Sequence, residues 1–241
     1  MNAIAHRAVL LDVQRLSKRF GGVVASAGVD LQVLVGEVHA LIGPNGAGKT
    51  TLVAQLAGQM KSDSGKVVFA DEDITHLAPH ERARRGLARS FQITRLFRSF
   101  DVRDNVALAV RASGAVATHE RVDEVLAEIG LAEKAEASIE VLAHGEQRAL
   151  EVGLAIASRP RLVLLDEPMA GMGLDESRHM EALIGRLRLH TTVLLIEHDV
   201  DAVFRLADRV SVLVSGQVIA SGAPEAVRQD AGVIEAYLGE E

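Results

Sequence analysis

The chain contains no cysteine and no tryptophan, and aromatic residues make up only 3% of its 241 residues, with Tyr237 as the sole tyrosine. Without cysteine it cannot form a disulfide framework, a thiolate metal site or a cysteine nucleophile, and it fits a reducing cytosol. The shortage of aromatic side chains argues against a base-stacking platform or an aromatic-rich binding face.

The sequence also lacks a long apolar run and an excess of positive charge. No apolar stretch approaches the ~18–20 residues that a membrane-spanning helix needs, and the stretch between Arg7 and Asp12 is too short for the apolar region of a secretory signal. Lys and Arg number 26 against 33 Asp and Glu, a net charge of −7 that repels nucleic acid and anionic lipid. We therefore expect no nucleic-acid partner and no more than a peripheral role at a membrane.

Predicted strands and helices alternate along the chain, which indicates an α/β fold with a mixed or largely parallel central sheet. The opening stretch predicts two strands joined by the turn Gly21-Gly22, and hence an N-terminal antiparallel β subdomain. Further short runs rich in leucine or β-branched residues predict buried strands. They cover residues 38–42, 67–69, 162–165, 192–196 and 209–214.

Between residues 93 and 141 the pattern changes. Residues 102–112 and 120–129 have the period of amphipathic helices, with no strand between them. We therefore interpret residues 93–141 as an inserted helical subdomain. Residues 9–92 and 142–241 then form the core of a single domain spanning residues 1–241.

A glycine-rich segment follows the predicted strand 38–42 and precedes a predicted helix at residues 48–59. Its sequence, Gly43-Pro-Asn-Gly-Ala-Gly48-Lys49-Thr50, fits G-x-x-x-x-G-K-[ST] in the setting that a phosphate-binding loop requires. Glycines let backbone N–H groups face phosphate oxygens at a helix N-terminus, whereas the alternative is an ordinary glycine-rich turn with a surface lysine. Lys49 would neutralise the β and γ phosphates, and Thr50 would offer its hydroxyl to Mg²⁺. The predicted nucleotide contacts are Gly43, Asn45, Gly46, Ala47, Gly48, Lys49, Thr50 and Thr51.

Two acids, Asp166 and Glu167, follow the apolar run 162–165. The carboxyl end of a strand in a parallel sheet is where α/β proteins bind ligands, although acids there also serve as plain turn residues. We interpret Asp166 as a magnesium ligand. Glu167 would emerge beyond the strand and act as the general base that polarises a water for attack on the γ-phosphate.

The segment Leu142-Ala-His-Gly-Glu-Gln-Arg148 begins 24 residues before Asp166 and precedes a predicted apolar helix at residues 149–157. It resembles the L-S-G-G-Q signature of ABC ATPases. The other motifs of that family follow in the same order over residues 9–237. The resemblance implies that Phe20 stacks on adenine, although a lone phenylalanine is commonly a core residue. It implies that Gln92 lies in the Q-loop as a catalytic residue and magnesium ligand, and that His198 is the switch histidine.

The same resemblance implies a P-loop NTPase core that binds ATP and Mg²⁺ and pairs with a second ABC ATPase subunit, either a copy or a sister chain. Ala143, Gly145 and Glu146 would then contact the nucleotide bound by that partner. Integral-membrane permease subunits would complete the assembly at the cytoplasmic face of the membrane. The sequence departs from the family pattern at Ala143, where serine is usual, and at Gly173, where Asp or Asn is usual.

Three stretches are most similar to the ATPase subunits of branched-chain amino-acid importers: residues 89–97, 142–148 and 233–239. An ATPase for lipopolysaccharide export, or for urea or amide import, would carry most of the same residues. Two rival classes are a soluble ABC-type ATPase acting on DNA or ribosomes and a small-molecule kinase. The first predicts a coiled-coil insertion or a basic surface, and the second leaves Gln92, Gly145 and His198 without a role.

Overall fold

The computed structural model describes residues 7–90, 96–114 and 118–238, and ten strands in this part of the chain form two sheets. The first sheet has the order β2-β1-β4-β5 and is antiparallel throughout. It confirms the predicted N-terminal β subdomain. Its strands are β1 (Val9–Phe20), β2 (Val23–Leu34), β4 (Ser64–Phe69) and β5 (Glu72–Asp73).

The second sheet has six strands in the order β10-β9-β3-β8-β7-β6. Its neighbours pair in parallel except β10, which runs antiparallel to β9, so the prediction of a mixed, largely parallel sheet is confirmed. The strands are β3 (Val38–Ile42), β6 (Leu87–Arg89), β7 (Leu162–Asp166), β8 (Thr192–Ile196), β9 (Arg209–Val214) and β10 (Gln217–Gly222).

Strand β7 shows why the central strands are apolar at every position. Leu162 and Leu164 pack into the core that this sheet shares with the antiparallel sheet. Val163 and Leu165 point the other way, into a core shared with helices. A strand that is buried on both faces reads as a continuous apolar run because its side chains alternate between two cores.

Nine α-helices of the described residues surround the sheets: α1 (Lys49–Leu56), α2 (Pro79–Arg84), α3 (Val102–Ala112), α4 (His119–Glu128), α5 (His144–Ile156), α6 (Leu174–Leu187), α7 (Val200–Leu206), α8 (Pro224–Arg228) and α9 (Ala231–Val233). Short 3₁₀ turns at Ala132–Lys134 and Ile139–Val141 connect α4 to α5, and a π-helical turn covers Ile234–Leu238.

Helices α3, α4 and α5 pack on one another beside the sheet. Asp101 and Thr118 cap the N-termini of α3 and α4 through their side chains, which explains where both helices begin. The inserted subdomain over residues 93–141 stays a prediction, because residues 91–95 lie outside the described part of the chain. Among the described residues, no helix has the length and apolarity to cross a membrane.

Helix boundaries differ most from the sequence prediction at the start of α5 and the end of α1. The apolar helix predicted from residue 149 begins at His144, so the signature segment forms its first turn. The helix predicted over residues 48–59 ends at Leu56, because Gly58 has a φ of +75°, a left-handed conformation that terminates the helix.

Candidate nucleotide site

The loop between β3 and α1 is held by close backbone contacts as well as by backbone curvature. A Cβ on Gly43 would lie 2.0 Å from the carbonyl oxygen of Leu213, and one on Gly48 would lie 2.1 Å from that of Ala25. Gly46 has open space around it but a φ of +79°. All three positions therefore require glycine. At Gly43 and Gly48 a side chain would clash and the backbone has a positive φ, whereas at Gly46 only the positive φ requires glycine.

Lys49 begins α1 and is buried, with 8% of its surface exposed. Its Nζ donates hydrogen bonds to the carbonyl oxygens of Gly43 (2.5 Å) and Pro44 (3.0 Å), so the ammonium group lies inside the loop. Burial lowers the pKa of Lys49, and the carboxylates of Glu167 and Asp166 oppose this shift. The lysine predicted to bind phosphate thus shares one electrostatic site with the two predicted acids.

The remaining loop residues differ in their accessibility. Asn45, Gly46 and Thr50 are exposed, and Thr51 is half-buried. Ala47 is buried in the core below the loop, and its N–H donates to Pro44 O at 3.2 Å. In this conformation Ala47 therefore supports the loop from below.

Asp166 ends β7 and is 3% exposed. Its Oδ2 accepts a hydrogen bond of 2.7 Å from Nη2 of Arg89, the last residue of β6. The same guanidinium donates to Oε1 of Gln59, which follows α1. The backbone N–H of Asp166 donates to Ser90 Oγ at 3.3 Å. The acid assigned to magnesium therefore has a protein cation as its partner here.

Glu167 is held in an unusual backbone conformation at the edge of the sheet. Its φ is +49°, which is uncommon for a residue with a Cβ, and its N–H donates to Ile196 O at 2.9 Å. The side chain is 31% exposed and its Oε1 lies 4.0 Å from Nδ1 of His198. The turn thus carries the carboxylate out of β7 to the side of His198, and the catalytic roles of both residues stay predictions.

Glu197, between β8 and His198, is a buried acid to which the sequence assigned no role. Its Oε1 accepts from the N–H of Met169 at 2.9 Å and its Oε2 from the N–H of His198 at 3.3 Å. Burial raises the pKa of Glu197, although these hydrogen bonds favour the charged form. Glu197 therefore ties the segment after Glu167 to the segment that carries His198.

Phe20 ends β1 and is 48% exposed, so the alternative that it is a core residue is wrong. Lys18 Nζ lies 5.6 Å from the centre of its ring. An exposed ring beside a cation is available for stacking on a planar ligand.

The signature residues begin α5 and contact α6. Gly145 N–H donates to Glu176 Oε1 at 2.9 Å, and the other oxygen of Glu176 accepts from Gly173 N at 3.2 Å. Glu146 accepts from Ala143 N and from Lys134; although burial raises its pKa, these contacts hold the pKa of Glu146 below its usual value. Among the described residues, no hydrogen bond or ion pair joins the signature segment to the phosphate loop.

The predicted magnesium ligands among the described residues carry oxygen donors of the kind that Mg²⁺ prefers. Thr50 and Asp166 offer oxygen atoms, and Mg²⁺ is commonly held by one or two protein oxygens together with phosphates and water. Within residues 7–90, 96–114 and 118–238, no group of three His, Cys, Asp or Glu side chains is arranged to hold a metal. Gln92, the third predicted magnesium ligand, lies outside the described residues.

Three contacting residues were not recognised as parts of the site from the sequence: Arg89, Glu176 and Glu197. Arg89 was visible only as part of a stretch that resembled importer ATPases, and Glu197 as a neighbour of His198. The partners of these side chains lie 77, 31 and 28 positions away along the chain. No local pattern announces such contacts.

Comparisons with known proteins agree with this geometry. The profile of the ABC transporter family matches residues 27–170, and a profile described as branched-chain amino acid ATP-binding cassette transporter matches residues 217–241. The high-affinity branched-chain amino acid transport ATP-binding protein LivG of Escherichia coli (strain K12) is 39% identical over 250 residues, which cover 96% of this chain and 98% of that protein.

One further relative and one solved structure are also similar over nearly the whole chain. The lipopolysaccharide export system ATP-binding protein LptB of Acidithiobacillus ferridurans is 36% identical over 235 residues and covers 96% of this chain and 98% of its own. A crystal structure of an ATP-binding cassette of an ABC transporter in its ADP conformation has a TM-score of 0.88 at 29% identity. That match covers 97% of this chain and 100% of the other.

Proposed function

The chain belongs to the ABC transporter family as an ATP-binding subunit, and we propose that it hydrolyses ATP to drive an importer of branched-chain amino acids. The observation that carries this proposal is the edge of the central sheet, where Lys49, Asp166, Glu167 and His198 meet. Phosphoryl transfer to water needs a cation at the phosphates and a group that orients the attacking water.

Each side chain has a distinct role in the proposed reaction. Lys49 leaves the carbonyls of Gly43 and Pro44 to neutralise phosphate charge, while the loop N–H groups hold the phosphate oxygens. Glu167 orients a water molecule and accepts its proton, and His198 contacts the γ-phosphate. Bound with ATP at Thr50 and Asp166, Mg²⁺ would supply positive charge that stabilises the phosphates.

A second ATPase subunit completes the site in this proposal. The first turn of α5 is partly exposed and contacts α6 of its own chain through Glu176, so it is positioned to serve a phosphate bound elsewhere. A helix N-terminus attracts anions. Two chains facing each other would thus enclose two ATP molecules between phosphate loops and signature helices.

We expect the Glu167→Gln variant to form an ATP-dependent dimer, because it binds ATP but cannot hydrolyse it. Light scattering after size-exclusion chromatography should give one species of 25.7 kDa without nucleotide or with ADP, and a species of twice that mass with ATP. The net charge of −7 opposes self-association without nucleotide.

The matched control adds Lys49→Ala to Glu167→Gln and should remain monomeric with ATP, because the phosphate loop loses its cation. A persistent monomer of Glu167→Gln with saturating ATP, both alone and with a sister ATPase subunit added, would contradict the shared site.

We propose that the permease contacts an apolar groove of about 530 Å³ that is lined by residues of α2, β6, α3 and α5. Ala109, Leu154 and Phe97 contribute apolar surface, and Phe97 is 52% exposed. An exposed aromatic residue at the rim of an apolar groove is suited to receive a segment of another protein. This arrangement would hold the chain at the cytoplasmic face of the membrane.

Branched-chain amino acids are the proposed solute because the family match at residues 217–241 and the similarity to LivG both point to that class. In cells of the source organism that lack this gene, the wild-type gene should restore uptake of radiolabelled leucine to the parental rate. Glu167→Gln should restore less than about a hundredth of it. Uptake of a solute with its own transporter is the control. Restored lipopolysaccharide export with no effect on leucine would instead favour the function named for LptB.

A further inference from the structure

Arg89 is a half-buried cation that the proposed reaction does not use. Only 11% of its side chain is exposed, and it joins the end of β6 to Asp166, at the end of the neighbouring strand β7. Its second contact is Gln59, after the phosphate-loop helix. Among the described residues, its Nε finds no hydrogen-bond partner. The guanidinium is therefore held chiefly by Asp166 and Gln59.

Asp166 has two possible cationic partners under the proposed function. Its side chain is 1% exposed, and a buried carboxylate is strongly destabilising unless a cation or hydrogen bonds compensate its charge. Arg89 supplies that compensation without metal. A magnesium ion at Asp166 would supply the same compensation and would repel the guanidinium.

We propose that Arg89 is a positioning residue that holds Asp166 until Mg²⁺ and nucleotide bind, so that the guanidinium and the metal compete for one carboxylate. This inference rests on the proposed function, because it takes Asp166 as the magnesium ligand. The inference adds that, before metal binds, Arg89 already neutralises the charge of Asp166.

The position of Arg89 also connects the metal site to the groove assigned to the permease. Gln59, Arg89 and Ser90 all line that groove. When the guanidinium leaves Asp166, the charge presented at this wall of the groove changes. A segment bound in the groove and a metal at Asp166 would thus act on the same arginine.

The test measures the magnesium dependence of nucleotide binding, which needs no turnover. Binding of a fluorescent ATP analogue is titrated with Mg²⁺ in wild type, Arg89→Gln and Arg89→Lys. Removing the positive charge that pairs with Asp166 should lower the half-saturating Mg²⁺ concentration about tenfold in Arg89→Gln, because the metal then has no cation to displace from that carboxylate. Arg89→Lys keeps the charge and should stay near wild type.

A second measurement separates competition from simple support of the fold. Without metal, Arg89→Gln should lower the melting temperature by on the order of 10 °C, because Asp166 loses its partner. Adding Asp166→Asn should recover most of that loss. Mg²⁺ with ATP should stabilise Arg89→Gln by more degrees than it stabilises wild type.

Arg85→Gln is the matched control, because Arg85, just after α2, makes a similar but more exposed pair with Glu72 of β5 in the antiparallel sheet. It should leave both measurements unchanged. A lower melting temperature with an unchanged Mg²⁺ titration would overturn the proposal and leave Arg89 a purely structural residue. If wild type binds nucleotide without any dependence on Mg²⁺, the assignment of Asp166 fails instead, and with it part of the proposed function.

Discussion

Replacement of Glu167 by glutamine is expected to lower ATP turnover by about 10²–10⁴-fold while ATP binding persists, the usual size of general-base catalysis. Glutamine keeps the shape and hydrogen-bonding ability of the side chain but cannot accept the proton of water. Because the φ of residue 167 is +49°, a substitution that also changed backbone freedom would confuse the result. Glutamine, like glutamate, has a Cβ and leaves that strain unchanged. Steady-state phosphate release and an equilibrium ATP titration measure the two effects separately.

Glu72→Gln is the matched control for Glu167→Gln, because Glu72 is exposed on β5 and pairs only with Arg85 in the described hydrogen bonds and ion pairs. It should retain wild-type turnover. Turnover by Glu167→Gln within a few-fold of wild type would contradict the general-base role and would shift attention to His198, whose Nδ1 lies 4.0 Å from Glu167.

Replacement of Lys49 by alanine is expected to weaken nucleotide binding itself, on the order of 100-fold for ATP. A charge-assisted hydrogen bond contributes about 1.5–3 kcal/mol, and the ammonium group of Lys49 lies inside the loop. ADP affinity should fall as well, because Lys49 is expected to contact the β-phosphate in addition to the γ-phosphate. Equilibrium titration with each nucleotide gives both numbers.

Lys61→Ala provides the control for Lys49→Ala, since Lys61 is an exposed lysine in the loop after α1. Its removal should leave nucleotide affinity unchanged. An unchanged ATP affinity in Lys49→Ala, with the fold intact by circular dichroism, would contradict the phosphate-loop assignment.

The phosphate loop and the type of fold could be predicted from the sequence because both depend on short-range features. The loop is one contiguous segment, and its glycines, Lys49 and Thr50 carry their chemistry in fixed order. Strands such as β7 and β8 are apolar at every position because both faces are buried, so they stand out as short runs. Asp166 and Glu167 follow such a run directly, which already puts them at a strand end.

Only the tertiary structure decided which side chains these residues meet. In the sheet, β7 lies between β6 and β8. The neighbour β6 brings Arg89 to Asp166, and the neighbour β8 brings Glu197 to the N–H of Met169. The exposure of Phe20 and the burial of Lys49 likewise depend on how separate elements pack. Contacts between residues far apart in the sequence produce no local pattern from which they could be predicted. The sequence by itself therefore determined the chemistry of the site, while the packing of the sheet decided its charge balance, because burial and long-range pairing exist only once the chain is folded.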